Sequence, residues 1–187
     1  IALSIQCLGT YQFMLFIFTK LNPIQFIKKY LPVMGFAFST STSNATIPLA
    51  IETLEEKIGV SKKISAFTIP LGATINMDGT SIMQGVATIF IAQAFGITLT
   101  IPQLATVVLT ATLASIGTAG APGVGLITLS MVLSSVGLPL EGIAIIMGID
   151  RIVDMLRTVV NITGDAVCTI LIAYQENLLD KEIYNKD

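Results

Sequence analysis

The sequence predicts an all-α integral membrane protein: transmembrane helices combined with two oppositely oriented re-entrant helical hairpins that form an inverted repeat. Three observations carry that prediction. First, 53% of the residues are hydrophobic and 12% are charged, about half the charged share of a soluble domain. Between residues 64 and 140 the only charged residue is Asp78, and a water-facing domain of that length would expose far more charge. Second, two clusters of small and polar residues, 39–46 and 117–123, each divide a hydrophobic stretch into limbs too short to cross a bilayer. Third, the helical stretch 150–165 carries Asp150, Asp154, Arg157, Thr158, Asn161 and Asp165. At about 100° per residue these fall within one stripe about 100° wide. In a membrane such a stripe lines a cavity or an ion path and cannot face lipid.

Taken in order, residues 1–20 form an apolar run closed by Lys20, long enough for a hydrocarbon layer of about 30 Å. Asn22-Pro23 opens the first hairpin, 22–58, with proline suited to a first helical turn. Its tip, 39–46, has seven polar residues in eight and is followed by Pro48. Irregular backbone at membrane depth is tolerated where it lines a cavity. The second limb ends in Glu52, Glu55, Glu56 and Lys57, which returns it to water. Residues 64–96 form a broken transmembrane helix interrupted at Asn76-Met77-Asp78-Gly79-Thr80. A carboxylate beside freed backbone carbonyls is a hard oxygen set suited to an alkali cation. The second hairpin, 101–136, has glycine at its tip where the first has serine, so its backbone can approach a ligand closely and can move. Residues 140–175 form the last transmembrane helix, and 176–187 a polar tail expected in the cytoplasm.

The pattern of hairpin, proline-containing tip and intramembrane acid occurs twice. Pro48 precedes Asp78 by 30 residues and Pro122 precedes Asp154 by 32. Lysines 20, 28, 29, 57, 62 and 63 flank the first hairpin, whereas Glu141 and no lysine flanks the second. The excess of lysine on cytoplasmic loops then inserts the hairpins from opposite sides. Repeats with interrupted helices point to a secondary transporter whose site lies where they meet.

Other classes fit less well. The chain has no histidine, which removes the commonest metal ligand and general base. Cys7 and Cys168, both in apolar helical contexts, read as small buried hydrophobes. A net charge of −2 argues against a nucleic-acid partner. An intramembrane aspartyl protease using Asp78 with Asp154 or Asp165 leaves Arg157 without a role, since it would hold a neighbouring carboxylate ionised. A channel filtered by the hairpins would lack saturable, sodium-dependent uptake. The apolar start without an initiator methionine leads us to expect the C-terminal part of a longer protein.

Residues 40–48, 76–80 (Asn-Met-Asp-Gly-Thr), 115–123 and the order Asp-x3-Asp-x2-Arg-Thr-x2-Asn-x3-Asp over 150–165 closely resemble the dicarboxylate/amino acid:cation symporter family, the glutamate/aspartate transporters. The resemblance covers the whole chain and implies the C-terminal part of the mobile transport domain. It implies sodium-coupled symport of an acidic amino acid by alternating access in the cell membrane. It also implies a homotrimer held by an N-terminal scaffold. Arg157 would pair bidentately with the substrate's side-chain carboxylate, as a planar fork in a dry site does. Asp154 would hold its ammonium, and Thr80, Thr158 and Asn161 would supply further hydrogen bonds. Ser43 would offer backbone groups to the α-carboxylate, and Ala121 and Gly125 would cover the substrate. Two to three sodium ions are implied. Asp165 would form one site with backbone of Gly72, Asn76 and Asn161. Backbone of Thr74, Ser115, Ile116 and Thr118, near Met77, would form another. Asp78 and the Asn76 side chain would belong to a third.

Two departures bear on mechanism. Ser41 stands where some prokaryotic members carry arginine, and Arg151 lies in the last helix instead, an arrangement like that of animal members in which Arg151 faces the first tip. Gln84 stands where animal members carry a glutamate implicated in proton coupling, which favours sodium over H+. The alternative is a proton-coupled glutamate or C4-dicarboxylate symporter. Aspartate and glutamate differ by one methylene, worth about 1–3 kcal/mol in a pocket, so the sequence does not choose between them.

Overall fold

The computed structural model describes residues 1–116 and 120–186. The described residues are mostly helical, and extended pairing among them is limited to one isolated antiparallel bridge between Val60 and Leu179. Helix α1 (Ala2–Thr19) is wound more widely over Ile5–Thr10. Helix α2 (Pro23–Thr40) starts at Asn22, whose side chain accepts from the Ile24 amide. It turns into α3 (Ser43–Thr53), which continues as a wide turn over Leu54–Ile58. Helices α4 (Lys62–Ile75) and α5 (Asp78–Ala94) follow, then α6 (Ile101–Ser115) and α7 (Val124–Ser135). The long α8 (Ile143–Gln175) and the short α9 (Lys181–Asn185) complete the chain.

At 33 residues, α8 is about 50 Å long, and the helical hairpins α2/α3 and α6/α7 approach it from opposite ends. The base of the first lies at its C-terminal end: the Ser61 amide donates to Leu178 O at 3.0 Å and the Asp180 amide to Gly59 O at 2.8 Å. The base of the second leads through Pro139 into the start of α8, where Gly142 packs on Ile91 of α5. The two tips meet midway, with the Asn44 amide donating to Gly120 O at 3.5 Å.

Two apolar cores flank that meeting point. One gathers Tyr11, Leu15, Phe26, Tyr30, Leu54, Ile58 and Ile170 around the first hairpin and the C-terminal half of α8. The other gathers Met83, Ile91, Val107, Leu129, Leu133 and Ile146 around the second hairpin and the N-terminal half. The polar stripe of α8 runs through the seam between them. Large apolar side chains cover the outside instead: Phe13, Phe67, Val108, Ile127, Met147 and Ile152 are all exposed. Such a surface suits lipid or further protein. Among the described residues one stretch, Ala2–Thr19, is long and apolar enough to cross a membrane by length and composition. The expected spans at 64–96 and 140–175 do not pass that test. The first is divided into helices of 14 and 17 residues, and α8 carries five charged side chains.

Residues 177–186 fold back rather than trailing away. Tyr184 is fully buried in the first core; its hydroxyl donates to Asn22 O at 2.9 Å. Burial pushes that hydroxyl well above the usual phenol range. Lys29 Nζ donates to the carbonyls of Ile183 and Tyr184, each at 2.8 Å.

Several local expectations change. The first tip is short: residues 39, 40 and 43–46 are helical, leaving Ser41 (φ 52°) and Thr42 as the turn. The hydroxyls of Ser39, Thr40 and Thr46 are satisfied inside the helices: Ser39 and Thr40 both donate to Phe36 O at 2.9 Å, and Thr46 to Thr42 O at 2.9 Å. Such back-bonding lets serine and threonine remain helical. The interruption in 64–96 is also shorter than expected, Asn76 and Met77 alone. Asp78 opens α5, where an acid in the first turn complements the helix dipole. Cys168 is exposed, not buried; Cys7 is buried. Arg151, expected to face the first tip, is exposed and makes no ion pair among the described residues.

Candidate functional site

The helical period of α8 places its polar residues on one face, and packing buries that face. Asp154, Arg157 and Asn161 are 3% exposed, and Thr158 and Asp165 are 4%. At the centre Arg157 pairs with Asp154 one turn earlier: Nη2 and Nε both donate to Asp154 Oδ1, at 2.7 and 3.0 Å. Asp154 Oδ2 accepts from the Gly123 amide at 3.0 Å. Among the described residues this leaves Arg157 Nη1 buried with no hydrogen-bond partner. The guanidinium lies directly on Gly125, where a β-carbon would come within 1.5 Å of Nη1.

Four elements converge on a cleft of about 10 Å³, room for roughly one water. Ser41 and Ser43 reach it from the first tip, and Gly120, Ala121 and Val124 from the second. Met77 and Thr80 line it from the break between α4 and α5, and Asp154, Arg157, Thr158 and Asn161 from α8. The expected substrate residues are thus brought together, Gly125 through its contact with Arg157. A larger groove of about 300 Å³ between α1, α5 and α8 is apolar and lies apart from this cleft.

The break is tied to α8 by close backbone approach. A β-carbon at Gly79 would fall 2.7 Å from Arg157 O, and the Gly79 amide donates to Asn161 Oδ1 at 2.8 Å. Asn161 Nδ2 lies 3.4 Å from Thr80 Oγ1 and 3.5 Å from the Met77 sulfur. One turn on, Asp165 Oδ1 accepts from Asn76 Nδ2 at 2.8 Å, and a β-carbon at Gly72 would come within 2.4 Å of that oxygen. A buried carboxylate therefore lies against the last turn of α4, where Gly72 O takes the Asn76 amide at 2.8 Å and the carbonyls that follow are past the reach of intrahelical donors. That donor chemistry fits an alkali cation.

The other expected cation residues are less gathered. Ser81 Oγ donates to Ser115 Oγ at 2.6 Å and lies 3.5 Å from Met77 O, which joins the end of α6 to the break. Thr74 and Ile116 are exposed at the ends of α4 and α6, and Thr118 lies outside the described residues. Asp78 turns toward α1. Its Oδ2 accepts from Gln6 Nε2 at 2.8 Å and from the Tyr11 hydroxyl, and its Oδ1 from the Gly79 amide at 3.1 Å.

Sequence reasoning does not anticipate Gln6, Tyr11, Ser81 or Val124. In α-helical winding, residues five apart lie about 140° from one another. The wide winding over Ile5–Thr10, with its i→i+5 bonds, brings such residues to one face. The available signal is weak: Gln6 and Tyr11 are two of several polar residues, with Ser4, Thr10 and Gln12, in a mainly apolar run.

The model of the sodium:dicarboxylate symporter family matches residues 1–175. The chain is 44% identical over 165 residues to an excitatory amino acid transporter of Caenorhabditis elegans, covering 88% of this chain and 33% of that protein. It is 43% identical over 185 residues to excitatory amino acid transporter 3 of Mus musculus, covering 99% and 35%. With neutral amino acid transporter B(0) of Mus musculus it shares 45% identity over 151 residues, 81% and 27%. The chain therefore spans about a third of the length of these relatives. A match this extensive, together with the meeting of two opposed hairpins on a buried polar helix, leads to one conclusion: the chain belongs to the sodium:dicarboxylate symporter family.

Proposed function

We propose that this chain forms the substrate- and ion-binding part of a secondary active transporter that symports sodium with glutamate or aspartate by alternating access. The observation that carries the reading is Arg157, buried between the two hairpin tips with Nη1 unpartnered among the described residues. A guanidinium N–H without an acceptor in a dry site is unfavourable, and a substrate carboxylate supplies the missing acceptor bidentately. When the guanidinium turns to that carboxylate, Asp154 is freed for the substrate's ammonium. Thr80, Thr158, Asn161 and the backbone at Ser43 complete the polar contacts, and Ala121 and Gly125 cover them. A neutral amino acid would leave Arg157 unmatched. A C4-dicarboxylate would place a negative group beside Asp154.

Sodium travels as a second substrate. Asp165 with backbone of Gly72, Asn76 and Asn161 forms one site; Thr74, Met77, Ser115, Ile116 and Thr118 contribute a second, and Asp78 with the Asn76 side chain belongs to a third. Asn161 couples them to the cargo, since it touches Gly79 and Thr80 and lies one turn from Asp165. Gln84 donates to Thr128 and cannot titrate, which favours sodium over a proton.

In this reading α1, the α4–α5 pair and α8 cross the membrane, the hairpins re-enter from opposite faces, and residues 176–187 are cytoplasmic. The whole protein assembles as a trimer through an N-terminal scaffold. A cleft of about 10 Å³ is too small for an amino acid, so loading requires a tip to withdraw. Residues 120–125 of the second hairpin, held here through the Gly120 carbonyl and the Gly123 amide, are the ones that withdraw. The test is isothermal titration of the full-length protein with aspartate, glutamate, succinate and serine, with and without sodium. Binding of aspartate or glutamate in sodium alone supports the reading; equal binding of serine, or binding indifferent to sodium, sinks it.

A further inference from the structure

Asp78 is the one acid of the seam that α8 does not carry, and its surroundings differ from those of Asp165. Both of its oxygens face hydrogen-bond donors. Oδ2 receives two from α1, the Gln6 amide at 2.8 Å and the Tyr11 hydroxyl, and Oδ1 receives the Gly79 amide at 3.1 Å. The Tyr11 ring is buried in the first core. Its hydroxyl sits in a notch of α8 at Gly164, where a β-carbon would come within 2.5 Å of the phenol oxygen and 2.9 Å of Asn76 Nδ2. The hydroxyl is thus held between Asp78 and the amide that serves Asp165. As folded, Oδ2 has two donors from α1, whereas Oδ1 takes only the Gly79 amide, which it shares with Asn161 Oδ1. A cation at Oδ2 would meet two donated protons, and both α1 side chains would have to turn away first.

We propose that Gln6 and Tyr11 are positioning residues that compete with sodium for Asp78 and so set how much sodium the protein needs. The wide winding of α1 over Ile5–Thr10 exists to bring these two donors, five residues apart, to one oxygen. The inference rests on the sodium-coupled reading above and adds a residue pair, on a helix that contributes nothing to the substrate cleft, that tunes it. A donor to an ionised acceptor is among the stronger hydrogen bonds, so removing one should shift the competition measurably.

The experiment is a sodium titration of thermal unfolding in the full-length protein, with potassium as the control cation. Tyr11→Phe keeps the buried ring and removes the hydroxyl. Its half-maximal stabilisation should come at about tenfold lower sodium than in the parent. Gln6→Met keeps side-chain length, removes the donor and should shift the same way, and it decides the matter if Tyr11→Phe does not fold. An unchanged sodium midpoint in both variants overturns the proposal. A raised midpoint also overturns it, since the tyrosine oxygen would then be a ligand and not a competitor. A parent whose unfolding ignores sodium removes the coupled reading and this proposal together, whereas a sodium-dependent parent with unmoved variants removes this proposal alone.

Discussion

Gly125→Ala tests the centre of the site through a single added methyl. A β-carbon at 125 would sit 1.5 Å from Arg157 Nη1 and 2.5 Å from the guanidinium carbon, where ordinary contact begins near 3.4 Å. The guanidinium must therefore shift by about 2 Å, and its 2.7 Å bond to Asp154 cannot survive such a shift. Hydrogen bonds to charged groups are worth about 1.5–3 kcal/mol each. Losing the equivalent bond to a substrate carboxylate should weaken aspartate binding about 10- to 100-fold. The assay is isothermal titration of aspartate at saturating sodium in the full-length protein, with circular dichroism to confirm folding. Serine binding, if detectable, should change less than aspartate binding, since serine has no side-chain carboxylate for Arg157. An aspartate Kd within twofold of the parent would refute the reasoning, because the methyl would then have found room that the geometry denies.

Three further substitutions have expected outcomes. Arg157→Cys should abolish uptake of acidic substrates in proteoliposomes while permitting small neutral amino acids; unchanged glutamate affinity would remove Arg157 from the site. The same substitution leaves Asp154 buried without its partner, so thermal stability should fall by about 3–5 kcal/mol. Asp165→Asn removes the charge from the proposed cation set, and the sodium concentration for half-maximal aspartate binding should rise at least tenfold; an identical sodium titration would count against its ligand role. Tyr184→Ala empties a fully buried position and should cost about 3–5 kcal/mol. It should also make residues 177–186 more susceptible to limited proteolysis than the parent, and equal cleavage rates would show that the fold-back carries little stability.

The stripe on α8 is legible in the sequence because it needs only the period of one helix, and the burial of Asp154, Arg157, Thr158, Asn161 and Asp165 follows from it. The break beside Asp78 is legible because Asn-Met-Asp-Gly opposes an apolar run, although the carboxylate's place in a first helical turn shortens it to two residues. The first tip is harder to read. Serine and threonine serve turns and helices alike, and the carbonyls they bond back to are visible only once the helices exist. The environment of Asp78 depends on the winding of α1, which composition does not encode, and the partners of Arg157 depend on which edge of the guanidinium Asp154 takes. The ordering of 177–186 is missed because one buried tyrosine outweighs a run of polar residues around it.

That fold-back also has a consequence for biosynthesis. Tyr184 closes on Asn22 across 162 residues of sequence. At about 5–20 residues per second of translation, the first hairpin waits roughly 8–30 s for this partner. During that interval the surface that Tyr184 will cover is open, after the hairpin has already left the ribosome. A nascent chain stalled anywhere before residue 184 would carry that surface uncovered, and quality-control machinery that recognises exposed apolar patches would have a ready means of telling it from one synthesised past that point.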